Sequence, residues 1–158
     1  MGAASWRGYD PRVVLFHVRR DSVLGAGEAW RRLTVWERHA DVVPLTRITV
    51  APGAGGGVGT VFVARTGVGA LAFDDPMEVV VWRPPAEGRA GVCRLVKRGS
   101  LVTGWAEIEV LPGVAGSSRV VWREELRVRG VPRVFDSLVG WVARWVFGRA
   151  VRRLLVRP

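Results

Sequence analysis

"SRVVWREELRVRGVPRVFDSLVGWVARWVFGRAVRRLLVRP", residues 118 to 158, changes its hydrophobic period part-way, and the fold turns on that change. Up to Gly130 the residues alternate. Arg119, Arg123, Glu125, Arg127 and Arg129 share one parity, while Val120, Trp122, Glu124, Leu126 and Val128 share the other. That is a strand with one wet face and one buried face. Beyond Gly130 the period becomes about 3.6 and persists for about 25 residues, long for a globular helix. At about 100° per residue, Val131, Phe135, Leu138, Val139, Val142, Trp145 and Val146 fall on one face, and Arg133, Asp136, Ser137, Gly140 and Arg144 on the opposite one. A helix of this kind must lie on an apolar surface.

Upstream, the period of two recurs in "LTRITVAP" (45–52), "GTVFVART" (59–66), "ALAFDDPMEVVVWRPP" (70–85), "GVCRLVKRG" (91–99) and "LVTGWAEIEVLP" (101–112), separated by Gly, Pro, Asp or Ser. Connections this short favour hairpins, so the predicted sheet is antiparallel. "VVLFHVRR" (13–20) reads as a first strand. "EAWRRLTVWERHADVVP" then carries Trp30, Leu33 and Trp36 at helical spacing, which predicts one or two short helices ending before Pro44. The expected class is therefore α+β: a curved seven-stranded antiparallel sheet wrapped around one long C-terminal helix, with two short helices between strands 1 and 2. Residues 1–11 read as an N-terminal extension and 12–156 as a single domain.

The stretch "APGAGGGVGT" (51–60), with five glycines between Gly53 and Gly59, invites comparison with a phosphate-binding loop. A dinucleotide fingerprint needs G-x-G-x-x-G opening a helix. From Gly53 its third glycine would be Val58, no Gly-Lys-Ser/Thr is present, and an alternating strand follows instead of a helix. The stretch is a hairpin connection whose glycines permit positive φ and a flexible rim.

With 49% hydrophobic and 24% charged residues over 158 positions, the chain has a globular rather than a disordered composition. No run approaches the ~20 uncharged apolar residues of a membrane span, and the N-terminus lacks the apolar core of a signal peptide. A single cysteine, Cys93, precludes an internal disulfide and suits a cytoplasmic setting. The net charge of +10 comes from 24 basic residues, all arginine except Lys97, scattered singly or in pairs. Nucleic-acid binding normally shows a basic stripe, stacking aromatics or a motif, so this distribution argues against it.

The element order, with "GAGGGVGT" between the second and third strands, resembles the helix-grip fold of the START and Bet v 1-like superfamily, whose bacterial members are often described as polyketide cyclase/dehydrase or SRPBCC proteins. "WERHADVVPLTRITV", "DPMEVVVWRPP", "GWAEIEVLP" and "SRVVWREELRV" carry the resemblance, which extends over about residues 12 to 156. It implies a cavity between the curved sheet and the C-terminal helix that holds a lipid, sterol, polyketide, quinone or other apolar molecule, without a cofactor.

Parity nominates the lining. Trp122, Glu124 and Leu126 face inward on the last strand, where Glu124 is a carboxylate in an apolar row. It is read either as one half of a salt bridge to an inward Arg or Lys, or as a polar handle in the pocket. Gly104, Ala106 and Ile108 face inward on the strand before, and the small pair leaves room for a ligand or for the helix. Phe62, Met77 and Val79 are further lining residues, although both faces of their strands are apolar. Phe135, Leu138, Val142 and Trp145 line the pocket from the helix.

Catalytic and metal-binding constellations are scarce. His17 and His39 have no ligand-spaced partners and read as structural or surface residues, and Cys93 reads as a small buried hydrophobe. The leading reading is therefore binding or transport of a small hydrophobic or amphipathic ligand by a monomer or homodimer. Two rivals stand beside it. One is a polyketide aromatase/cyclase or dehydratase, which would need several convergent polar groups. The other is a basic module for anionic membrane or nucleic acid, using Trp141, Trp145 and Phe147 with Arg144, Arg149, Arg152 and Arg153.

Overall fold

The computed structural model describes residues 13–53 and 56–156; the N-terminal extension, residues 1–11, lies outside them. The chain runs β1 (Val14–Ser22), α1 (Ala26–Thr34), a 3-10 turn (Trp36–His39), β2 (Thr46–Val50), β3 (Val61–Thr66), β4 (Phe73–Arg83), β5 (Gly91–Arg98), β6 (Val102–Pro112), β7 (Ser118–Val128) and α2 (Asp136–Val156). All strands pair antiparallel in the order β1-β7-β6-β5-β4-β3-β2. Hairpins join β2 to β7 in sequence. The link from β1 to β2 must cross from one edge of the sheet to the other, and α1 with the 3-10 turn makes that crossing, burying Trp30, Leu33 and Trp36. This is the helix-grip architecture.

Alternation sorts the two faces of the sheet. On β6, Val102, Ala106, Ile108 and Val110 are buried; on β7, Val120, Trp122, Glu124 and Leu126 are buried. The outer face carries charge ladders: Arg123 Nη1 lies 3.1 Å from Glu107 and 2.9 Å from Glu109, and the Arg94 guanidinium sits 4.4 Å over the Trp105 ring. β4 switches parity part-way. Its register to β5 slips between Val79 and Val81, so Asp75 and Val79 are buried with Met77 half-buried beside them, and beyond the slip Trp82 is the residue that turns in, its ring 5.1 Å from Trp30. A bulge of this kind inserts one unpaired residue and reverses which positions face the core.

The glycine-rich stretch returns directly into β3 as a hairpin, with Val50 opposite Phe62 and positive φ at Gly53, Gly56, Gly57 and Gly59.

α2 is where sequence and structure part. Phe135, Leu138, Val142 and Trp145, expected to face the sheet, are 43–55% exposed. The buried positions are Gly140, Gly148, Ala150, Val151, Leu154 and Leu155, with Val139, Ala143 and Phe147 half-buried against the core. The helix packs on β1 and α1, with Gly140 and Gly148 against β1. A Cβ at Gly140 would already sit 3.0 Å from Val14 Cγ1. Side-chain bulk selected one face; the short distance between helix and strand selects another.

Gly104 also has a different reason for being glycine. Its φ is 134°, and a Cβ there would collide with the carbonyl oxygen of Glu125 on β7. Absence of a side chain is required by the backbone, not by a ligand.

Candidate functional site

A cavity of about 100 Å³ lies between the 3-10 turn and strands β2 to β7. Its walls are largely aromatic. Trp36 stacks on Phe62 at 4.6 Å, and Trp122 meets Phe147 of α2 at 5.3 Å and His39 at 5.9 Å. Phe147 is the single α2 side chain that lines it; Ile48, Ala64, Met77, Leu95 and Ala106 complete most of the apolar surface. The cavity is therefore roofed mainly by the 3-10 turn and not, as expected, along the length of the C-terminal helix.

Its floor is charged. Alternation on β5 buries Gly91, Cys93, Leu95 and Lys97, so the one lysine of the chain enters the interior beside Met77 and Gly104 in the strand register. Lys97 Nζ donates to Asp75 Oδ2 at 2.7 Å, lies 3.2 Å from Glu124 Oε1 and reaches Met77 Sδ at 3.7 Å. Trp122 Nε1–H donates to Glu124 Oε2 at 3.0 Å. Glu124 is 1% exposed, and both of its oxygens are occupied. Burial pulls the Lys97 ammonium down, but Glu124 and Asp75 together reverse this and hold its pKa above the ordinary lysine value.

Two buried polar atoms of cavity-lining residues, Asp75 Oδ1 and Trp36 Nε1, have no partner among the described residues. Each is an expensive position to leave empty, since an unsatisfied buried polar atom costs on the order of 1–3 kcal/mol.

His39 Nε2 lies 2.9 Å from the Leu33 carbonyl, which can only accept, so Nε2 carries the proton. Burial drives its pKa below the ordinary histidine value, against a smaller opposing effect of the Leu33 hydrogen bond, and the ring is neutral at neutral pH. The unfolded chain protonates near pH ~6.5 while the folded chain resists. The contribution of His39 to stability is thus complete above that value and is lost as pH falls from it through the lower folded value. Urea midpoints at about pH 7.5 and about pH 5.5 should differ, and the difference should shrink in His39→Gln. An unchanged pH dependence in the variant would remove His39 from the account.

Among the thirteen side chains expected to line a pocket, Phe62, Met77, Ala106, Trp122 and Glu124 do so. Val79, Ile108 and Leu126 are buried in the core beside the cavity, Gly104 serves the backbone, and Phe135, Leu138, Val142 and Trp145 point away from it. Sequence reasoning missed Trp36, His39, Asp75 and Lys97. The alternation of Cys93, Leu95 and Lys97 was a usable signal for the lysine, whereas Pro76 and the β4 bulge obscured Asp75. His17 is exposed on β1. Cys93 is fully buried and its thiol is pushed up to about 12 by desolvation, which makes it inert. Among the described residues no group of three His, Cys, Asp or Glu side chains is placed to hold a metal ion, and no helix is long and apolar enough to cross a membrane.

In three dimensions the chain is similar to norcoclaurine synthase from Thalictrum flavum, with 17% identity, a TM-score of 0.62, and coverage of 91% of this chain and 94% of that one. It is also similar to the di-domain ARO/CYC StfQ of the steffimycin biosynthetic pathway, with 12% identity, a TM-score of 0.67, and coverage of 92% of this chain and 50% of that one. The Zhui aromatase/cyclase from Streptomyces sp. R1128 is a third such structure, with 16% identity, a TM-score of 0.56, and coverage of 90% and 86%. No family model and no curated protein matches the sequence. The likeness is one of fold, the helix-grip fold of Bet v 1-like and START-like proteins.

Proposed function

We propose that the protein binds a small, mostly apolar molecule carrying one hydrogen-bond donor, such as a phenol, alcohol or amine. The observation that carries this reading is the unpartnered Asp75 Oδ1 at the charged end of a cavity whose other walls are mainly aromatic and aliphatic, the Thr46 and Thr66 hydroxyls there being bonded to each other. Lys97 has given its donors to Asp75, Glu124 and Met77, so the floor offers an acceptor and no spare cation. Two carboxylates against one ammonium also favour a donor or a positively charged group over an anion. A cavity of about 100 Å³ is two thirds of the size of the ~150 Å³ apolar cavity that takes benzene, so it suits a molecule no larger than a single aromatic ring.

Phenol, benzylamine and toluene are suitable probes, with the indole N–H signals of Trp36 and Trp122 followed by NMR. Phenol and benzylamine should shift both signals saturably. Toluene should bind roughly tenfold or more weakly, the worth of one hydrogen bond to a charged group. Absence of a saturable shift with any probe would overturn the binding reading, and equal affinity for toluene would remove Asp75 from it.

The convergence of Lys97, Asp75, Glu124 and a neutral His39 on one cavity favours a second reading, in which the same cluster moves a proton on a bound substrate. Native mass spectrometry followed by solvent extraction separates the two. A co-purifying molecule returned in excess is recovered unchanged from a binding protein and converted by an enzyme.

A further inference from the structure

We propose that the outer face of α2 docks the protein on membrane surfaces that carry anionic phospholipid. The proposal is independent of what the cavity holds. In the first half of α2 the residues turned inward are Val139, Gly140 and Ala143, which leaves four large apolar ones outside. Leu138, Trp141, Val142 and Trp145 lie within an arc of about 100° and are 43–64% exposed. Soluble surfaces scatter exposed apolar residues singly, so a continuous row over about two helical turns marks an interaction surface.

The charge of the helix selects the partner. Arg149 and Arg152 continue the same arc towards the C-terminus, Arg144 flanks it, and none of the three has a carboxylate partner among the described residues. The Arg149 guanidinium stands 6.0 Å from the Trp145 ring centroid. α2 contains one acidic residue, Asp136, and the whole chain carries +10. A second copy on this face would bring together two helices that each carry four arginines and one acidic residue. An anionic lipid surface supplies the opposite charge, accepts tryptophan at head-group depth and draws basic residues to its phosphates. Among the described residues no helix is long and apolar enough to cross a membrane, so α2 would lie along the surface with its apolar row inserted.

Co-sedimentation with phosphatidylcholine vesicles, with and without phosphatidylglycerol, tests this in the full chain. Binding is expected only with phosphatidylglycerol present, is expected to weaken as salt is added, and should shift tryptophan emission to the blue. The double variant Trp141→Ser/Trp145→Ser should keep its melting temperature, since both side chains are exposed, and lose about tenfold or more in vesicle affinity. Arg144→Gln/Arg149→Gln/Arg152→Gln should bind the two kinds of vesicle alike. Absence of salt-sensitive binding, or binding unaltered in both variants, would overturn the proposal. So would a dimer in sedimentation equilibrium that the tryptophan substitutions dissolve, because it would assign the row to a second copy.

Discussion

Lys97→Met should cost about 3–5 kcal/mol of folding stability, the penalty for removing one partner of a buried ion pair. Here the penalty falls on two carboxylates, because Asp75 and Glu124 both face the same ammonium at 2.7 and 3.2 Å. Methionine fills the volume but leaves two anions facing each other in an apolar interior, with Trp122 Nε1–H as the remaining donor to either. Native domains are stable by only about 5–15 kcal/mol, so the variant should sit close to its unfolding threshold at neutral pH. Denaturant titrations at neutral pH should show a midpoint far below that of the wild type. In the wild type the lysine sets a limit at high pH. Its Lys97 pKa is raised, so the stability it confers is complete below the unfolded lysine value of about 10.4 and is lost as pH rises through the folded value. A variant that is as stable as wild type at neutral pH would show that the cluster is not buried as described.

Gly104→Ala should be comparably severe, at about 3–5 kcal/mol. Positive φ at a non-glycine residue outside its small allowed region costs about 1–3 kcal/mol. The added methyl also meets backbone, the Glu125 carbonyl and the Leu126 Cα, which cannot rotate away as a side chain could. Overpacking of this kind adds about 1–3 kcal/mol. Gly104 is paired with Leu126 on β7 and Lys97 on β5, so relief by backbone movement would disturb the charged floor itself. Urea denaturation should show a much lower midpoint with an unchanged slope. A midpoint within experimental error of wild type would mean that β6 can adopt an ordinary extended conformation at this position.

The sheet and its order of hairpins were legible because strand parity is a strong signal wherever one face is wet: Arg119, Arg123 and Arg127 mark the outside of β7 without ambiguity. β4 was not legible in the same way, since the slip between Val79 and Val81 reverses the faces within one strand. The helix α2 misled for another reason. It is apolar on both sides, and the hydrophobic pattern ranks faces by the size of their side chains, while packing on β1 sets Gly140 against Val14 and Gly148 against Val18. Leu138 was accordingly expected in the core and lies half-exposed. At the site, Glu124 was visible as a charge on an apolar parity, and an inward Arg or Lys on a neighbouring strand was one of its two expected readings. That the cation is Lys97, and that Asp75 shares it, depends on three strands being brought into register, which no single segment encodes.

The pairing of β1 with β7, from Val14 opposite Leu126 to Ser22 opposite Ser118, carries a consequence for biosynthesis. β1 is an edge strand whose sole sheet neighbour is β7, and it is also the strand that α2 covers. A nascent chain emerging from the ribosome can zip β2 through β7 hairpin by hairpin, but Val14–Ser22 has nothing to pair with until Ser118 and the residues after it have cleared the exit tunnel. Non-local pairing of this kind is entropically slow and leaves an apolar strand uncovered in the meantime. Arg19, Arg20 and Asp21, grouped at the end of that strand, place charge on an edge that must wait for its partner, and charge of this kind keeps a waiting edge from joining a neighbouring chain.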